Sequence, residues 1–306
     1  MRLAVISIAL AVAAAGAVTH ATAQAATPPG EERAIVDGLA SSFAVPWRDL
    51  FKKKHDSEWR NLLDGFSGDF GIDGPLTPPD VPGRTAPLRW SDTRLSASLK
   101  YMPLGYWFAN ASVYHYMNAD NQRAWSPDFT YVFGYDDWHP YTLSLVYANY
   151  GGNRFTPSRS SLGQRTQLAE GGVTLAWKLR AAPAVERAMA LSRSSTLEMN
   201  VNYTWTPRYT TLRGVTETWK QKAGVMVKYG IHKWLYVTTT AYYYPHPSQQ
   251  QPWDPDFTYG FGYFDWHPRT FSLQYNNYAG NRYPWRRGAR AGFRDGSISL
   301  TWSWAS

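Results

Sequence analysis

The stretch that decides the fold is DFTYVFGYDDWHPYTLSLVYANYGGNR, residues 128–154, because the chain says it again as DFTYGFGYFDWHPRTFSLQYNNYAGNR at residues 256–282. Aligned without a gap from Trp125 to Arg154 against Trp253 to Arg282, the two copies share 22 of 30 positions. Inside each copy the residue character alternates. Phe257, Tyr259, Phe261 and Tyr263 are separated by Thr258, Gly260 and Gly262. A period of two is the mark of a β-strand, whose successive side chains leave opposite faces. The small residues on one of those faces suit a crowded interior or a bend. Asp-Trp-His-Pro, at 137–140 and again at 265–268, invites a reading as a duplicated catalytic or metal-binding Asp/His pair. Its place between two alternating runs favours a hairpin turn instead. Asp starts turns, Pro ends pairing, and Trp belongs at a membrane interface.

The same alternation recurs along the chain. Leu197, Met199, Val201, Tyr203 and Trp205 interleave with Glu198, Asn200, Asn202 and Thr204, and Ile298, Leu300, Trp302 and Trp304 with Ser297, Ser299, Thr301 and Ser303. Twelve candidate strands follow, at roughly 66–72, 93–102, 106–117, 127–136, 141–150, 167–180, 196–206, 219–229, 234–244, 255–264, 269–278 and 295–304. Most are close to the ten residues that a tilted strand needs to cross a bilayer. Tight connections (MPLG, DDWHP, YGIHK, FDWHP) alternate with longer ones, and the linker 181–195 on the tight side has room for a short helix. The weak first segment, GFSGDFGI, is expected from parity, since an even strand count returns both termini to one side.

Composition agrees with a two-faced chain: 44% of residues are hydrophobic and 16% aromatic, yet mean hydropathy is −0.44. One face carries Trp, Tyr, Phe, Leu and Val, and the other uncharged polar residues. A soluble sandwich or lipocalin-like barrel would turn the polar face outward, against this pattern. In lipid every backbone N–H and C=O must be paired, so the pattern predicts an all-β, closed antiparallel transmembrane β-barrel of about 12 strands. The duplication makes it a 6+6 internal repeat, with units near 62–180 and 193–306. Cysteine is absent, which excludes disulfides and thiolate metal sites. Residues 1–25, with Arg2, an apolar Ala-rich run and small residues at Ala23 and Ala25, read as a signal peptide. Residues 26–62 read as short amphipathic helices, a periplasmic arm or plug ahead of the barrel at 63–306. Their apolar spacing runs through Ile35, Leu39 and Phe43, then Trp47, Leu50 and Phe51, with Lys52, Lys53 and Lys54 beside it.

With a cleaved signal, ten-residue alternating strands and a final aromatic strand SISLTWSWAS, residues 62–306 resemble a Gram-negative outer-membrane β-barrel protein, porin-like in character. Such proteins normally end on an aromatic residue, whereas here Trp304 is followed by Ala305 and Ser306. The resemblance implies a cell outer-membrane location, with outer-membrane lipid and lipopolysaccharide as partners, and short turns on the periplasmic side.

Strand parity assigns Lys100, Lys178, Arg180, Lys222 and Lys228 to the lumen, with Asp69 and Glu198 as counter-charges and Tyr114, Tyr116, Tyr236, Tyr242 and Tyr244 as aromatic neighbours. A basic, aromatic lumen would attract small anionic or saccharide solutes, in character like the twelve-stranded porins that pass acidic oligosaccharides; the same residues would also serve to fill and stiffen a narrow barrel. Lys and Arg total 31 against 23 Asp and Glu. Arg282, Arg286, Arg287, Arg290 and Arg294 crowd one outer loop, where they suit lipopolysaccharide phosphates. The signal and the membrane patterning argue against nucleic acid. His115 is the one attractive candidate for an outer-membrane lipid hydrolase, but Ser126 and Asp128 fall on the opposite face. The expectation is therefore a channel rather than an enzyme, with no cofactor or metal. A structural or assembly partner in export across the outer membrane is the alternative.

Overall fold

The computed structural model describes residues 65–77, 87–122, 126–150, 153–155, 167–211, 213–265, 267–278, 280–286 and 292–305. The expected signal peptide (1–25) and helical arm (26–62) lie outside the described residues. Twelve strands follow one another: β1 (Phe66–Pro75), β2 (Arg94–Leu104), β3 (Trp107–Tyr116), β4 (Phe129–Tyr135), β5 (Leu143–Asn149), β6 (Gly172–Arg180), β7 (Thr196–Thr210), β8 (Thr216–His232), β9 (Leu235–Tyr243), β10 (Phe257–Tyr263), β11 (Phe271–Asn277) and β12 (Ser297–Ala305). Each pairs antiparallel with its chain neighbours, and β1 pairs with β12 from Ser67↔Ala305 to Pro75↔Ser297. The sheet is thus a closed barrel, and closure leaves no strand of the ring at an edge. No helix among the described residues is long and apolar enough to cross a membrane.

The two copies of the opening stretch form β4–β5 and β10–β11, hairpins six strands apart around the ring and turning on the same rim. Their turns are built alike. His139 N–H donates to Asp137 Oδ1 at 3.0 Å and His267 N–H to Asp265 Oδ1 at 3.0 Å, while Nδ1 of each imidazole meets the same carboxylate oxygen at 2.5 and 2.6 Å. Thr142 and Thr270 then donate from Oγ1 to the carbonyls of Asp137 and His139, and of Asp265 and His267. These are Asx-type turns closed by a hydroxyl. Tyr141 and Arg269 hold the left-handed position, at φ 64° and 66°. Inside each hairpin the backbones approach closely: a Cβ on Gly134 would sit 2.1 Å from the Leu145 carbonyl oxygen, and one on Gly262 2.3 Å from that of Leu273.

Exposure separates the two faces of the sheet. Along β3, Trp107, Ala109, Ala111, Val113 and His115 are exposed, while Phe108, Asn110, Ser112, Tyr114 and Tyr116 are partly covered. In a closed barrel the exposed set is the outside. Registers carry the assignment around the ring and put Phe70, Leu99, Phe133, Leu145, Val201, Val237, Leu273 and Leu300 on the same outer face. Mid-height inward side chains, among them Ser144, Val146, Ala176, Asn200 and Thr240, are almost fully buried. The barrel is therefore narrow at its waist.

Two strands outrun the sequence expectation. β7 and β8 are 15 and 17 residues long and continue as a two-stranded ribbon past the rim. In the ladder the pairing steps from Thr206↔Lys220 to Arg208↔Thr218, across Pro207 and a Trp219 at φ 60°. Proline has no N–H to give, so the ladder skips it. On the opposite rim the linker folds as the helix Pro183–Met189, and Glu186 accepts from Arg180 Nε at 3.0 Å.

Candidate functional site

On the inner face, four cations lie over four aromatic rings in two matching sets. Arg94 lies 4.4 Å from the Tyr114 ring centroid and Lys100 5.4 Å from that of Phe108. Across the barrel, Lys222 lies 4.6 Å from Tyr242 and Lys228 4.7 Å from Tyr236. Every member of the second set is 128 residues after its counterpart in the first. The register explains the geometry: each cation sits diagonally across a strand pair from its ring, within reach of a long side chain. Cation–π contacts of this kind are worth about 0.5–2 kcal/mol, and they hold the ammonium and guanidinium groups along the wall.

The two sets differ in their counter-charges. Arg94 is paired with Asp73, Nη2 to Oδ2 at 2.8 Å, whereas Lys222 stands opposite Thr204 and makes no ion pair or hydrogen bond with any described residue. Lys228 stands opposite Glu198, and Glu198 opposite Arg180. Lys100 stands opposite Ser67, one step from Asp69, which accepts a hydrogen bond from Ser98 Oγ. Lys178 donates to the Trp138 carbonyl at 3.3 Å, tying the β6 wall to the neighbouring turn. Arg94 and Phe108 escaped the sequence reading. The 128-residue spacing from Lys222 and Tyr236 was the signal that would have found them.

At the rim opposite the tight turns, the duplicated motif builds a clasp twice. Asn277, wholly buried, donates from Nδ2 to Tyr259 Oη at 3.3 Å, Tyr275 Oη at 3.2 Å and the Gly292 carbonyl at 2.8 Å. Asn149 makes the equivalent contacts to Tyr131 Oη, Tyr147 Oη and the Gln167 carbonyl, at 3.2, 3.3 and 3.2 Å. Just before β4 and β10, Asp128 accepts from the Phe155 N–H at 3.0 Å and from Gln122 Nε2 at 2.5 Å, and Asp256 from the Tyr283 N–H at 3.0 Å and Gln250 Nε2 at 2.7 Å. Burial opposes the charge of both carboxylates, but these hydrogen bonds and the neighbouring arginine outweigh it and hold their pKa values below the ordinary carboxylate range.

Three of the arginines expected at the outer loop, Arg282, Arg286 and Arg294, lie among the described residues. Arg282 is largely covered and donates to the carbonyls of Gln251, Pro252 and Asp254, so it braces one loop against another. Arg286 takes the Asp256 carboxylate at 2.6 Å, the part that Arg154 plays for Asp128 at 3.1 Å. Arg294 belongs to a short turn of 3₁₀ helix whose chain carbonyl accepts from Thr77. Arg287 and Arg290 lie outside the described residues. His115 points outward opposite Leu95, with no described serine bonded to it, and among the described residues no three metal-ligating side chains converge.

The chain matches no protein-family model and no curated protein. Its function is therefore argued from the barrel and the chemistry of its inner face.

Proposed function

We propose that the chain is a porin-like channel of the Gram-negative outer membrane for small or oligomeric solutes of anionic or sugar-like character. The carrying observation is the doubled set of cation–π pairs on the inner wall, Arg94/Tyr114 and Lys100/Phe108 facing Lys222/Tyr242 and Lys228/Tyr236. Cations held in a narrow, partly dehydrated passage are screened less than at a free surface, and they raise the local concentration of anions. Aromatic faces beside them offer stacking surfaces to sugar rings. The outer face supports membrane insertion: large apolar side chains such as Phe70, Leu145, Val201 and Leu273 stand exposed on it, with Trp107, Trp177 and Tyr263 toward the tight-turn rim. On this reading the tight turns are periplasmic, the long loops face outside, and the barrel arose as a 6+6 duplication whose halves each lacked a closing partner.

The buried waist favours a second reading, a closed barrel that serves as a structural partner in export. Planar-bilayer recording of the purified full chain separates the two. A channel gives unitary currents whose reversal potential in a salt gradient favours chloride over potassium, with the preference fading as ionic strength rises. Electrical silence refutes the channel and selects the structural reading, whereas unitary currents with cation preference refute the anionic selectivity alone.

A further inference from the structure

The residue that follows each buried Asn in the duplicated motif is a tyrosine, and the channel reading gives it no task. Asn149 and Asn277 point outward, so strand alternation sends Tyr150 and Tyr278 inward, just beyond the last paired residues of β5 and β11. Tyr278 Oη donates to Asn276 Oδ1 at 3.2 Å on the inner face. The rings are 62% and 57% exposed, yet they are encircled by wall, as happens when a side chain projects into a lumen. Tyr278 lies within electrostatic range of Tyr150, Tyr236, Tyr242 and Asp73, and Tyr150 within range of Tyr114. Two tyrosines from strands six apart thus converge near the outer mouth, above the Lys222/Tyr242 pair. Burial pushes the Tyr150 hydroxyl up to about 12 and raises that of Tyr278 as well, so both stay neutral and act as apolar faces with a hydroxyl handle.

We infer that Tyr150, Tyr278, Tyr242 and Lys222 form a binding site at the outer mouth for a ring-bearing monoanion, in which the ring lies against the tyrosines and the carboxylate meets Lys222. Three observations converge on it. Lys222 is the one ladder cation opposite a neutral hydroxyl side chain and without an ion pair or hydrogen bond to a described residue. Its ammonium is already oriented by Tyr242 at 4.6 Å. The tyrosines leave exposed ring surface beside it, although exposed aromatic rings inside a barrel are covered by nothing described. The site deepens the channel reading by naming where a solute is held, but occupancy does not require conduction.

Equilibrium binding to the purified full chain in detergent, read by calorimetry, tests it with four probes: glucuronate and benzoate (ring and carboxylate), glucose (ring alone) and acetate (carboxylate alone). Glucuronate, benzoate or both should bind at least tenfold more tightly than glucose and acetate, and which of the two binds distinguishes a sugar acid from an aryl acid. Tyr278→Ala and Lys222→Gln should each weaken that binding about tenfold. Tyr278→Phe, which keeps the ring, should retain it, and Arg187→Gln at the far rim should leave it unchanged. Heat-modifiable gel mobility checks that each variant is a folded barrel. Equal binding of all four probes, no binding of any, or full affinity in folded Tyr278→Ala overturns the site. A barrel that is electrically silent but binds glucuronate in the stated pattern refutes the channel and keeps the site; one that conducts anions but binds no probe does the reverse.

Discussion

Replacing Asn277 by Ala removes the amide that joins β10, β11 and the loop before β12, and the structure sets the size of the effect. The Nδ2 group has two hydrogens and three acceptors, Tyr259 Oη, Tyr275 Oη and the Gly292 carbonyl, and Oδ1 accepts from Asn281 Nδ2 at 3.0 Å. Three net hydrogen bonds at about 1 kcal/mol each give roughly 3 kcal/mol. The buried position adds a cost, because the Gly292 carbonyl loses its partner and water cannot easily replace it, so about 3–4 kcal/mol is expected in all. Asn277→Asp should be worse than Ala, since it aims a carboxylate oxygen at oxygens that the amide had satisfied. The same change at Asn149, whose Oδ1 accepts no such bond, should cost about 1 kcal/mol less. The two clasps lie six strands apart, well beyond 10 Å, and share no partner, so the double variant should lose the sum. Reversible urea unfolding of the barrel in lipid vesicles, followed by tryptophan fluorescence and by the mobility of unheated samples on gels, measures each value. A loss below about 0.5 kcal/mol for Asn277→Ala, or an Asp variant as stable as the Ala variant, would refute the hydrogen-bond argument. Strong non-additivity would show that the clasps are not independent.

Two further outcomes follow from asymmetries between the halves. Lys222→Gln removes a cation that lacks an ion-pair partner; by Coulomb's law a unit charge about 7 Å from a passing ion contributes ~0.6 kcal/mol even in bulk water, favourable to chloride and unfavourable to potassium, so the chloride-to-potassium permeability ratio should fall roughly sevenfold. The charge-neutral double change Arg94→Gln with Asp73→Asn should leave that ratio nearly constant, and the opposite ranking in reversal potentials would contradict the charge assignment. In the β2–β3 turn Gly105 has φ 53°, and Lys233 occupies the corresponding place in the β8–β9 turn at φ 44°. Gly105→Ala should therefore destabilise the barrel by about 1 kcal/mol despite the open space around it, while Lys233→Ala should change stability little, both read by the same urea titration.

The strands of the repeated stretch were legible because every second residue is aromatic or aliphatic and the pattern is written twice. β1 was legible only through parity: Phe66, Gly68, Phe70 and Ile72 make a thin outer face, and an even strand count was needed to justify it. The ribbon beyond Thr206 and Lys220 was not legible, because Arg208, Thr210, Thr216 and Thr218 are polar and the apolar alternation vanishes there. On the site, strand parity placed the lysines on one face, but contacts depend on register as well. Arg94 falls within the expected strand 93–102 and on the parity of Lys100, but its place over Tyr114 and Tyr116 comes from the register with the next strand. Arg282 looked like a surface cation because composition cannot tell which loop carbonyls will converge on a guanidinium.

A perfect duplication would give the lumen two identical walls, and the departures from it decide where charge remains. The register makes Thr204 the equivalent of Asp73, since each faces the outer cation of its ladder, and Glu198 the equivalent of Ser67, since each faces the inner one. Toward the outer mouth the first wall is therefore neutralised and the second is not. Toward the other end both cations have an acidic neighbour: Glu198 stands opposite Lys228, and Asp69 lies one step along β1 from Ser67, which faces Lys100. The difference between the two walls is therefore concentrated at Lys222. An anion drawn to it would next meet the waist, where Asn200, Thr240 and Ser144 crowd the passage with uncharged polar groups. Because duplication alone yields only symmetric walls, this one-sided charge belongs to the positions where the halves differ, and it is there, rather than in the repeated hairpins, that selectivity for a solute would be set.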